Sequence, residues 1–123
     1  LKNKGCKKFR GDPSGPTKIS RQYLGLIAHY AIRIQAKIYK IDSYNNENIF
    51  VMVDNVAQKI YNFQQTNSTI NICGDPYPVI DSINKNYNDS IIQVDFLMNH
   101  NSSVLDLSIE TDLNSDKGWW GVR

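Results

Sequence analysis

The sequence predicts an all-β fold, an antiparallel two-sheet β-sandwich of jelly-roll type with seven to eight strands. Several segments alternate apolar and polar residues with a period of two, turn-forming residues separate them, and no segment has a convincing helical repeat. A chain of 123 residues is long enough to bury one core. An immunoglobulin fold is disfavoured because Cys6 lies too early and no Trp stands between the two cysteines. A jelly roll is therefore the favoured architecture.

Residues 1–123 are predicted to form a single domain with a sandwich core at residues 26–123. Residues 1–25 are predicted to be an N-terminal arm and loop, because they are rich in Lys and contain GDPSGP at positions 11–16. The chain starts with Leu1 and stops directly after the strand-like WWGV. We therefore expect it to be a piece of a longer precursor.

Two long strands and one hairpin are predicted in the first half of the core. From Tyr30 to Ile38 every second residue is apolar, and this alternation slips over residues 38–41, as a bulge or a strand end would cause. Residues 49–53 alternate again. Asp54-Asn55 then predicts a tight hairpin turn. Val56–Phe63 also fits one face of a helix, but its position after the turn favours a strand.

Four further strands are predicted towards the C-terminus. Residues 69–73 form a short strand, and residues 81–90 a polar loop. Residues 92–98 and 105–109 alternate cleanly, and the short loop at 99–103 predicts that they form an antiparallel pair. Residues 119–122 are the predicted final strand.

Composition and motifs disfavour several functional classes. The net charge is +2, and the basic residues near the N-terminus are interleaved with only one aromatic residue, Phe9, so nucleic acid is not a predicted partner. No apolar run is long enough for a membrane-spanning helix. The sequence has no Gly-rich phosphate loop, nucleophile elbow or HExxH motif, and His29 and His100 are its only imidazoles. No catalytic activity is therefore predicted.

Cysteine and asparagine usage favours the secretory pathway and an extracellular or cell-surface location. Cys6 and Cys73 suit one disulfide bond, which would stabilise the fold by about 4 kcal/mol. The alternative is a pair of buried thiols in a cytosolic protein. N-linked glycans are predicted at three N-x-[ST] sequons in polar connections, at Asn67, Asn88 and Asn101. Together these features favour an oxidising exterior.

Three stretches resemble a jelly-roll-like domain of secreted and surface proteins of ciliates. They are YKIDSYNNENIFVMVDN (39–55), NICG (71–74) and DKGWWGVR (116–123), and residues 24–29 resemble the family's segment ahead of its first long strand. The typical pattern of the family is fYKIDSWDNE, then ICG, then DESWGIRD. The resemblance implies a secreted jelly roll, with distant similarity to MAM-type and calcium-dependent carbohydrate-binding jelly rolls.

The chain departs from the family pattern where a cation could bind. Tyr44 stands where the family has Trp, Asn45 where it has Asp, and Lys117-Gly118 replaces an acidic pair. These changes remove negative charge from two of the resembling stretches.

The segment DSYNNE, residues 42–47, supplies the hard oxygen ligands that Ca²⁺ prefers. The last strand of a jelly roll often returns beside early strands, so Asp112 or Asp116 could complete a site. The alternative is a turn whose side chains satisfy their own backbone. The predicted calcium ligands are Asp42, Asn45, Glu47, Asp54 and Asp116.

Aromatic residues near the same segments offer a platform on which a sugar could stack. The candidates are Tyr44, Trp119 and Trp120, with Tyr39 beside them. The alternative is burial, since adjacent residues on a strand face opposite ways and at least one of the two tryptophans should lie in the core.

These patterns predict a structural or adhesive module, for example the repeating unit of a surface or extracellular filament. Its expected partners are further copies of itself or neighbouring surface proteins. The extended arm at residues 1–10 could add a strand to a neighbour's sheet, or could be the first strand of its own domain. The alternative function is a calcium-dependent, lectin-like module that binds glycans.

Overall fold

The computed structural model describes residues 9–10, 17–42, 44–64, 89–113 and 118–123. These residues form eight strands: β1 (Phe9–Arg10), β2 (Thr17–Tyr23), β3 (Ala31–Asp42), β4 (Glu47–Val53), β5 (Val56–Phe63), β6 (Ser90–Asn99), β7 (Leu105–Thr111) and β8 (Gly118–Val122). In the described ranges we find no helix, and hence none with the length and apolar character needed to cross a membrane.

The strands form two antiparallel sheets of four strands each. The strand order is β1-β8-β3-β6 in the first sheet and β2-β7-β4-β5 in the second. Apart from the β4–β5 hairpin, each strand is followed in the chain by a strand of the opposite sheet. This is the topology of a jelly roll, and the predicted fold class is confirmed.

The core lies between the sheets and is formed by alternate residues of the strands. In β4, Ile49, Val51 and Val53 are buried, whereas Phe50 and Met52 are half-buried. Each fully buried aliphatic side chain contributes about 1.5–3 kcal/mol relative to exposure. The buried apolar cluster consists of Ile34, Ile38, Tyr44, Ile49, Val51, Val53, Val94, Leu105, Ile109, Leu113 and Trp120.

The predicted hairpin at Asp54-Asn55 is confirmed, and Val56–Phe63 is its second strand. Both turn residues have positive φ, 51° at Asp54 and 65° at Asn55, as a two-residue type I′ turn requires. Val53 pairs directly with Val56, and the register shifts between Val51 and Met52. Asp and Asn tolerate the left-handed region better than other side chains, which explains the choice of residues.

The slip in the apolar pattern at residues 38–41 is neither a bulge nor a strand end. β3 pairs with β6 and β8 without a shift in register and continues to Asp42. The pattern breaks because Lys40 occupies a buried position and is only 1% exposed. Its Nζ lies 5.5 Å from the ring centre of Tyr44 and 6.0 Å from that of Phe63, distances at which aromatic faces attract a cation.

Two other expectations differ from the structure. Thr17–Tyr23 was expected to belong to an arm and loop, but it is β2 and pairs with β7 along its whole length. The strands β6 and β7 were expected to pair with each other, but they lie in opposite sheets. The connection between them is long enough to cross the roughly 10 Å between packed sheets.

The N-terminal arm is described only at Phe9–Arg10. These two residues pair with Trp119 and Trp120 of β8 in the same chain. Phe9–Arg10 therefore form a strand of their own domain, and donation of the arm to a neighbour stays a prediction.

Candidate functional site

The connections between strands gather at two ends of the sandwich. The amide end contains the β3–β4 and β7–β8 connections, and the histidine end contains the β2–β3, β4–β5 and β6–β7 connections. β4 runs from one end to the other, and its seven residues span roughly 20 Å. Side chains at different ends therefore cannot share one small ligand.

The DSYNNE segment crosses from one sheet to the other and is not a hairpin. It links the end of β3 to the start of β4, which belong to different sheets. Asn46 has φ of 60°, a conformation that Asn adopts more readily than most residues. The backbone N–H of Asn45 donates to Oε1 of Glu47 at 3.1 Å. The segment thus satisfies part of its own backbone, as the turn interpretation predicted.

The structure brings together only some of the predicted calcium ligands. Asn45 and Glu47 lie at the amide end, whereas Asp54 is in the β4–β5 turn at the histidine end. Grouping Asp54 with Glu47 was therefore wrong, because the length of β4 separates them. The side chain of Asp42, and Asp116 as a whole, lie outside the described residues. Among the described residues there is no group of three or more His, Cys, Asp or Glu that could hold a metal ion. Calcium binding stays a prediction.

Asp112 is the acidic residue that the fold does bring to this segment. Its Oδ1 accepts the backbone N–H of Asn48 at 2.5 Å, and its Oδ2 accepts the side-chain amide of Asn48 at 2.8 Å. Both carboxylate oxygens are thus engaged by hydrogen-bond donors. These two bonds fix the orientation of the carboxylate, and each oxygen keeps a second lone-pair direction.

Carboxamides extend from Asn48 across the outer surface of β4 and β5. Asn62 donates to Asn48 Oδ1 at 2.9 Å and to Asn46 Oδ1 at 3.2 Å. Gln64 donates to Asn46 Oδ1 at 3.0 Å and to Asn62 Oδ1 at 2.6 Å. We call the set Asn46, Asn48, Asn62, Gln64 and Asp112 the amide cluster; Asn48 is half-buried and the other four are exposed. Within the described residues, Nδ2 of Asn46 and Oε1 of Gln64 make no hydrogen bond, so the cluster offers both a donor and an acceptor.

Sequence inspection did not single out Asn48, Asn62 or Gln64. Asn48 and Asn62 are separated by fourteen residues and become neighbours only because they pair across β4 and β5. The register of the predicted Asp54-Asn55 hairpin places Asn48 opposite Asn62, so this pair could have been predicted from the hairpin.

Two of the three predicted stacking residues are buried in the core. Tyr44 is 1% exposed and Trp120 is not exposed at all. Tyr44 meets the ring of Phe63 edge-on at 5.5 Å, and Trp120 donates from Nε1 to Oγ1 of Thr17 at 2.8 Å. Neither ring offers a face to a ligand at the surface. The side chain of Trp119 lies outside the described residues.

Tyr44 is a titratable residue in the core at the amide end. Burial raises its pKa, and the carboxylates of Glu47 and Asp112 act in the same direction. A side-chain hydrogen bond with Thr111 opposes this rise. Tyr44 therefore keeps its phenol proton in the folded state and serves as a packed, hydrogen-bonded core residue.

His29, His100 and Asp54 form a contact chain at the histidine end. Nδ1 of His29 lies 2.7 Å from the carbonyl oxygen of Ile27, and Nε2 of His29 lies 2.7 Å from Nδ1 of His100. The ring centres are 5.0 Å apart and the ring planes differ by 12°. The separation of the ring centres equals the N···N distance plus the distance from each of these nitrogens to the centre of its own ring. The imidazoles therefore lie end to end and are not stacked face to face. Nε2 of His100 lies 3.2 Å from Oδ2 of Asp54.

The β2–β3 loop carries three exposed apolar side chains. Leu24 is 68% exposed, Ile27 86% and Tyr30 85%. We call these three residues the apolar patch. Backbone hydrogen bonds nevertheless join the loop that carries them to the β6–β7 connection. The N–H of Leu26 donates to the carbonyl oxygen of Ser103 at 2.9 Å, and the N–H of His100 donates to the carbonyl oxygen of Tyr30 at 3.1 Å.

The remaining predicted sites are mostly outside the described residues. Cys6, Cys73, Asn67 and Asn88 all lie there. Asn101 is exposed in the β6–β7 connection, next to His100. An exposed loop position is compatible with a glycan.

The fold and its two polar ends define a jelly-roll β-sandwich of eight described strands. No known protein family, curated protein or solved structure matches the chain.

Proposed function

We propose that the chain is an extracellular structural or adhesive module that associates with further copies of itself. The observation that carries this proposal is the apolar patch. Three large apolar side chains point into solvent from a loop that hydrogen bonds hold against the sandwich. Ordered loops on a rigid scaffold commonly carry binding residues. Here three large apolar side chains are exposed within seven consecutive residues.

Several further features support this proposal. Tyrosine is enriched among the residues that dominate binding energy, and Tyr30 is almost fully exposed. A surface at one end of the sandwich can meet a different surface of the next copy, and such head-to-tail contacts extend into filaments when they do not close into rings. The cysteine pair, the three sequons and the resemblance to secreted jelly rolls support an extracellular location.

Replacing the three side chains of the apolar patch is expected to weaken self-association at least tenfold. The variant combines Leu24→Ser, Ile27→Ser and Tyr30→Ser, whose side chains contribute little to the core because they are exposed. Sedimentation velocity over a range of concentrations should show association of the parent chain and at least a tenfold weaker association of the variant, equivalent to about 1.4 kcal/mol.

The matched control is Val56→Ser with Ile60→Ser, which removes two exposed apolar side chains outside the patch. This variant should associate like the parent chain. Each protein should be compared with and without Asn101→Gln, because a glycan there would lie beside the loop. A parent chain that stays monomeric up to about 1 mM, or a patch variant that associates normally, would contradict the proposal.

The amide cluster favours a second candidate, a calcium-dependent carbohydrate-binding module. Planar carboxamides and a carboxylate on an exposed sheet surface can exchange hydrogen bonds with the neighbouring hydroxyls of a sugar. Asn46 Nδ2 and Gln64 Oε1 supply a donor and an acceptor that the described residues leave available. A calcium ion could add the ligands of the DSYNNE segment to such a site.

Glycan binding measured with and without chelator tests this candidate. If the amide cluster binds sugar, Asn46→Ala with Gln64→Ala should reduce the signal at least tenfold, while Gln93→Ala, an exposed amide on β6, should not change it. If calcium takes part, millimolar calcium should raise the melting temperature and chelator should reverse the rise. Equal binding by both variants would remove the amide cluster from consideration, and an unchanged melting temperature would remove calcium.

A further inference from the structure

Strand β6 lies at an edge of the first sheet and lacks the features that usually protect such an edge. Within the described residues it pairs with β3 alone. It is ten residues long and contains no Lys, Arg or Pro. Edge strands of soluble proteins are usually short, irregular or charged, because their unpaired N–H and C=O groups can otherwise pair with another chain. The edge of β6 is therefore suited to accept a further strand.

The other edge strands of the described sheets are protected in the usual ways. β1 has only two residues. β2 carries Lys18 and Arg21. β5 carries Lys59, directly beside the register shift between β4 and β5. Short length, basic side chains and an irregular register all hinder pairing with another chain, so β6 differs from these three strands.

Alternate residues of β6 turn their backbone groups away from β3. Lys37 of β3 exchanges two backbone hydrogen bonds with Arg123, each of 2.8 Å, so its N–H and C=O face β8. Gln93 is the residue opposite Lys37, and in an antiparallel ladder it must then turn its own N–H and C=O to the other side. The same holds for every second residue of β6. The groups that face the open edge include those of Ile91, Gln93, Asp95 and Leu97.

The side chains of these four residues are exposed on the outer face of the sheet. Ile91 is 44% exposed and Leu97 is 72% exposed, and they stand at the two ends of the row. Gln93 and Asp95 lie between them. The order is thus apolar, polar, polar, apolar, and it is symmetric about Val94.

We propose that two copies of the chain pair through β6 about a two-fold axis at Val94, which joins their first sheets into one continuous sheet. In this antiparallel register Ile91 lies opposite Leu97 of the second copy, and Gln93 lies opposite Asp95 of the second copy. Each of these pairs exchanges two backbone hydrogen bonds, because the groups that face the edge belong to these residues. Two apolar side chains, or an amide and a carboxylate, are favourable neighbours across strands.

The neighbouring two-fold registers are less favourable. An axis at Asp95 places two carboxylates directly opposite each other, and like charges in that position are destabilising. An axis at Gln93 places Ile91 opposite Asp95. Neither register brings Ile91 and Leu97 together, so the axis at Val94 is the one that matches like with like.

Asp95, the charged residue of β6, is compatible with this contact. Its two carboxylate oxygens accept hydrogen bonds from Nε and Nη2 of Arg33, each of 2.8 Å. Arg33 therefore balances the negative charge within the same copy. A carboxylate has about four lone-pair directions, so Asp95 can also accept the side-chain amide of Gln93 from the second copy.

The β6 contact is separate from the apolar patch and does not depend on it. A two-fold contact closes on itself, so β6 alone gives a dimer, whereas contacts between unlike surfaces continue from copy to copy. Where both contacts form, dimers are joined into filaments. In the patch variant the association that remains should stop at the dimer, which allows the two proposals to fail separately.

Hydrogen exchange of the full-length patch variant, labelled with ¹⁵N, tests the contact. Exchange should be measured by NMR at about 20 μM and at about 1 mM protein. The N–H groups of Gln93 and Asp95 should exchange about tenfold more slowly, or slower still, at the higher concentration, because the second copy then accepts their hydrogen bonds. The N–H of Val94 faces β3 and should exchange slowly at both concentrations.

Two charge variants, made in the patch variant, test the register. Ile91→Glu with Leu97→Glu places like charges opposite each other across the axis, whereas Ile91→Lys with Leu97→Glu places opposite charges there. Both share the change at Leu97, which lies beside Arg33, and they differ only at Ile91. Sedimentation velocity at low salt should give a dimer dissociation constant about tenfold lower, or lower still, for the opposite-charge variant.

The matched control places the same charges on β5. Val56→Glu with Ile60→Glu and Val56→Lys with Ile60→Glu change two exposed positions of that strand and should give equal dissociation constants. Fast exchange of Gln93 and Asp95 at both concentrations would overturn the inference, since the edge then stays open. Slow exchange at both would also overturn it, because the chain's own residues then cover the edge. Equal dissociation constants for the two β6 charge variants would exclude the axis at Val94.

Discussion

Replacing Trp120 with alanine is expected to lower the free energy of unfolding by about 3–5 kcal/mol. The indole is fully buried on β8 and donates to Thr17 on β2, so it links the first sheet to the second. Alanine removes the largest side chain that is fully buried among the described residues and leaves a cavity between the sheets. Thermal melting of the variant should show a midpoint lower by roughly 10–20 °C.

Thr17→Val separates the hydrogen bond from the packing. It keeps the volume of the threonine but removes the acceptor for Trp120 Nε1, which should cost about 1–3 kcal/mol. Ser20→Ala, an exposed change on the same strand, should stay within about 0.5 kcal/mol of the parent chain. If Trp120→Ala melts with the parent chain but loses glycan binding, Trp120 belongs to a ligand platform and its place in the core is wrong.

Replacing Tyr44 with alanine is expected to cost a similar amount, about 3–5 kcal/mol. Its ring is fully buried, packs edge-on against Phe63 and lies beneath the ammonium group of Lys40. Tyr44→Phe keeps the ring and these ring contacts, so it should cost only about 1 kcal/mol through the lost side-chain hydrogen bond. Chemical denaturation at neutral pH measures both differences.

Tyr44 also predicts how stability changes at alkaline pH. The unfolded chain releases the phenol proton at about pH 10, whereas burial raises the pKa of Tyr44 in the folded state. The stability that this residue contributes is complete below the unfolded value and is lost as the pH rises towards the folded value. The parent chain should therefore lose more stability between about pH 8 and about pH 11 than Tyr44→Phe does.

Tyr61→Phe is the matched control for this alkaline effect. Burial also raises the pKa of Tyr61, but its side chain is only partly buried. Most of the alkaline loss should therefore persist in Tyr61→Phe. An equal loss in the parent chain and in Tyr44→Phe would show that another group is responsible.

Period-two alternation was sufficient to find the strands whose inward faces are apolar. β4 and β6 have such faces, and their inward and outward residues agree with the prediction. β2 was missed because Ile19 and Tyr23 are its only apolar residues, and Arg21, whose guanidinium lies 4.8 Å from the ring centre of Tyr23, interrupts the pattern. Lys40 was interpreted as an irregularity for a similar reason, since two aromatic rings beside a buried ammonium group cannot be inferred from strand periodicity.

The contacts at the amide end and the histidine end could not be predicted from local sequence patterns either. The DSYNNE segment and the Asp54-Asn55 turn were recognisable from their residues, but the partners of both were not. Asp112 reaches Asn48 because β7 pairs with β4, and His100 reaches His29 because the β2–β3 and β6–β7 connections meet at one end. Sequence separations of 64 and 71 residues carry no local signal of these contacts.

By itself the sequence determined the fold class, the tight hairpin at Asp54-Asn55 and the alternation that separates core from surface, because these depend on local backbone preferences and on burial of apolar side chains. Only the tertiary structure decided which sheet each strand joins, that Tyr44 and Trp120 are core residues, and that Asp54 faces a histidine pair rather than Glu47. Strand order sets those distances, and strand order depends on the packing of the two sheets against each other rather than on any single segment.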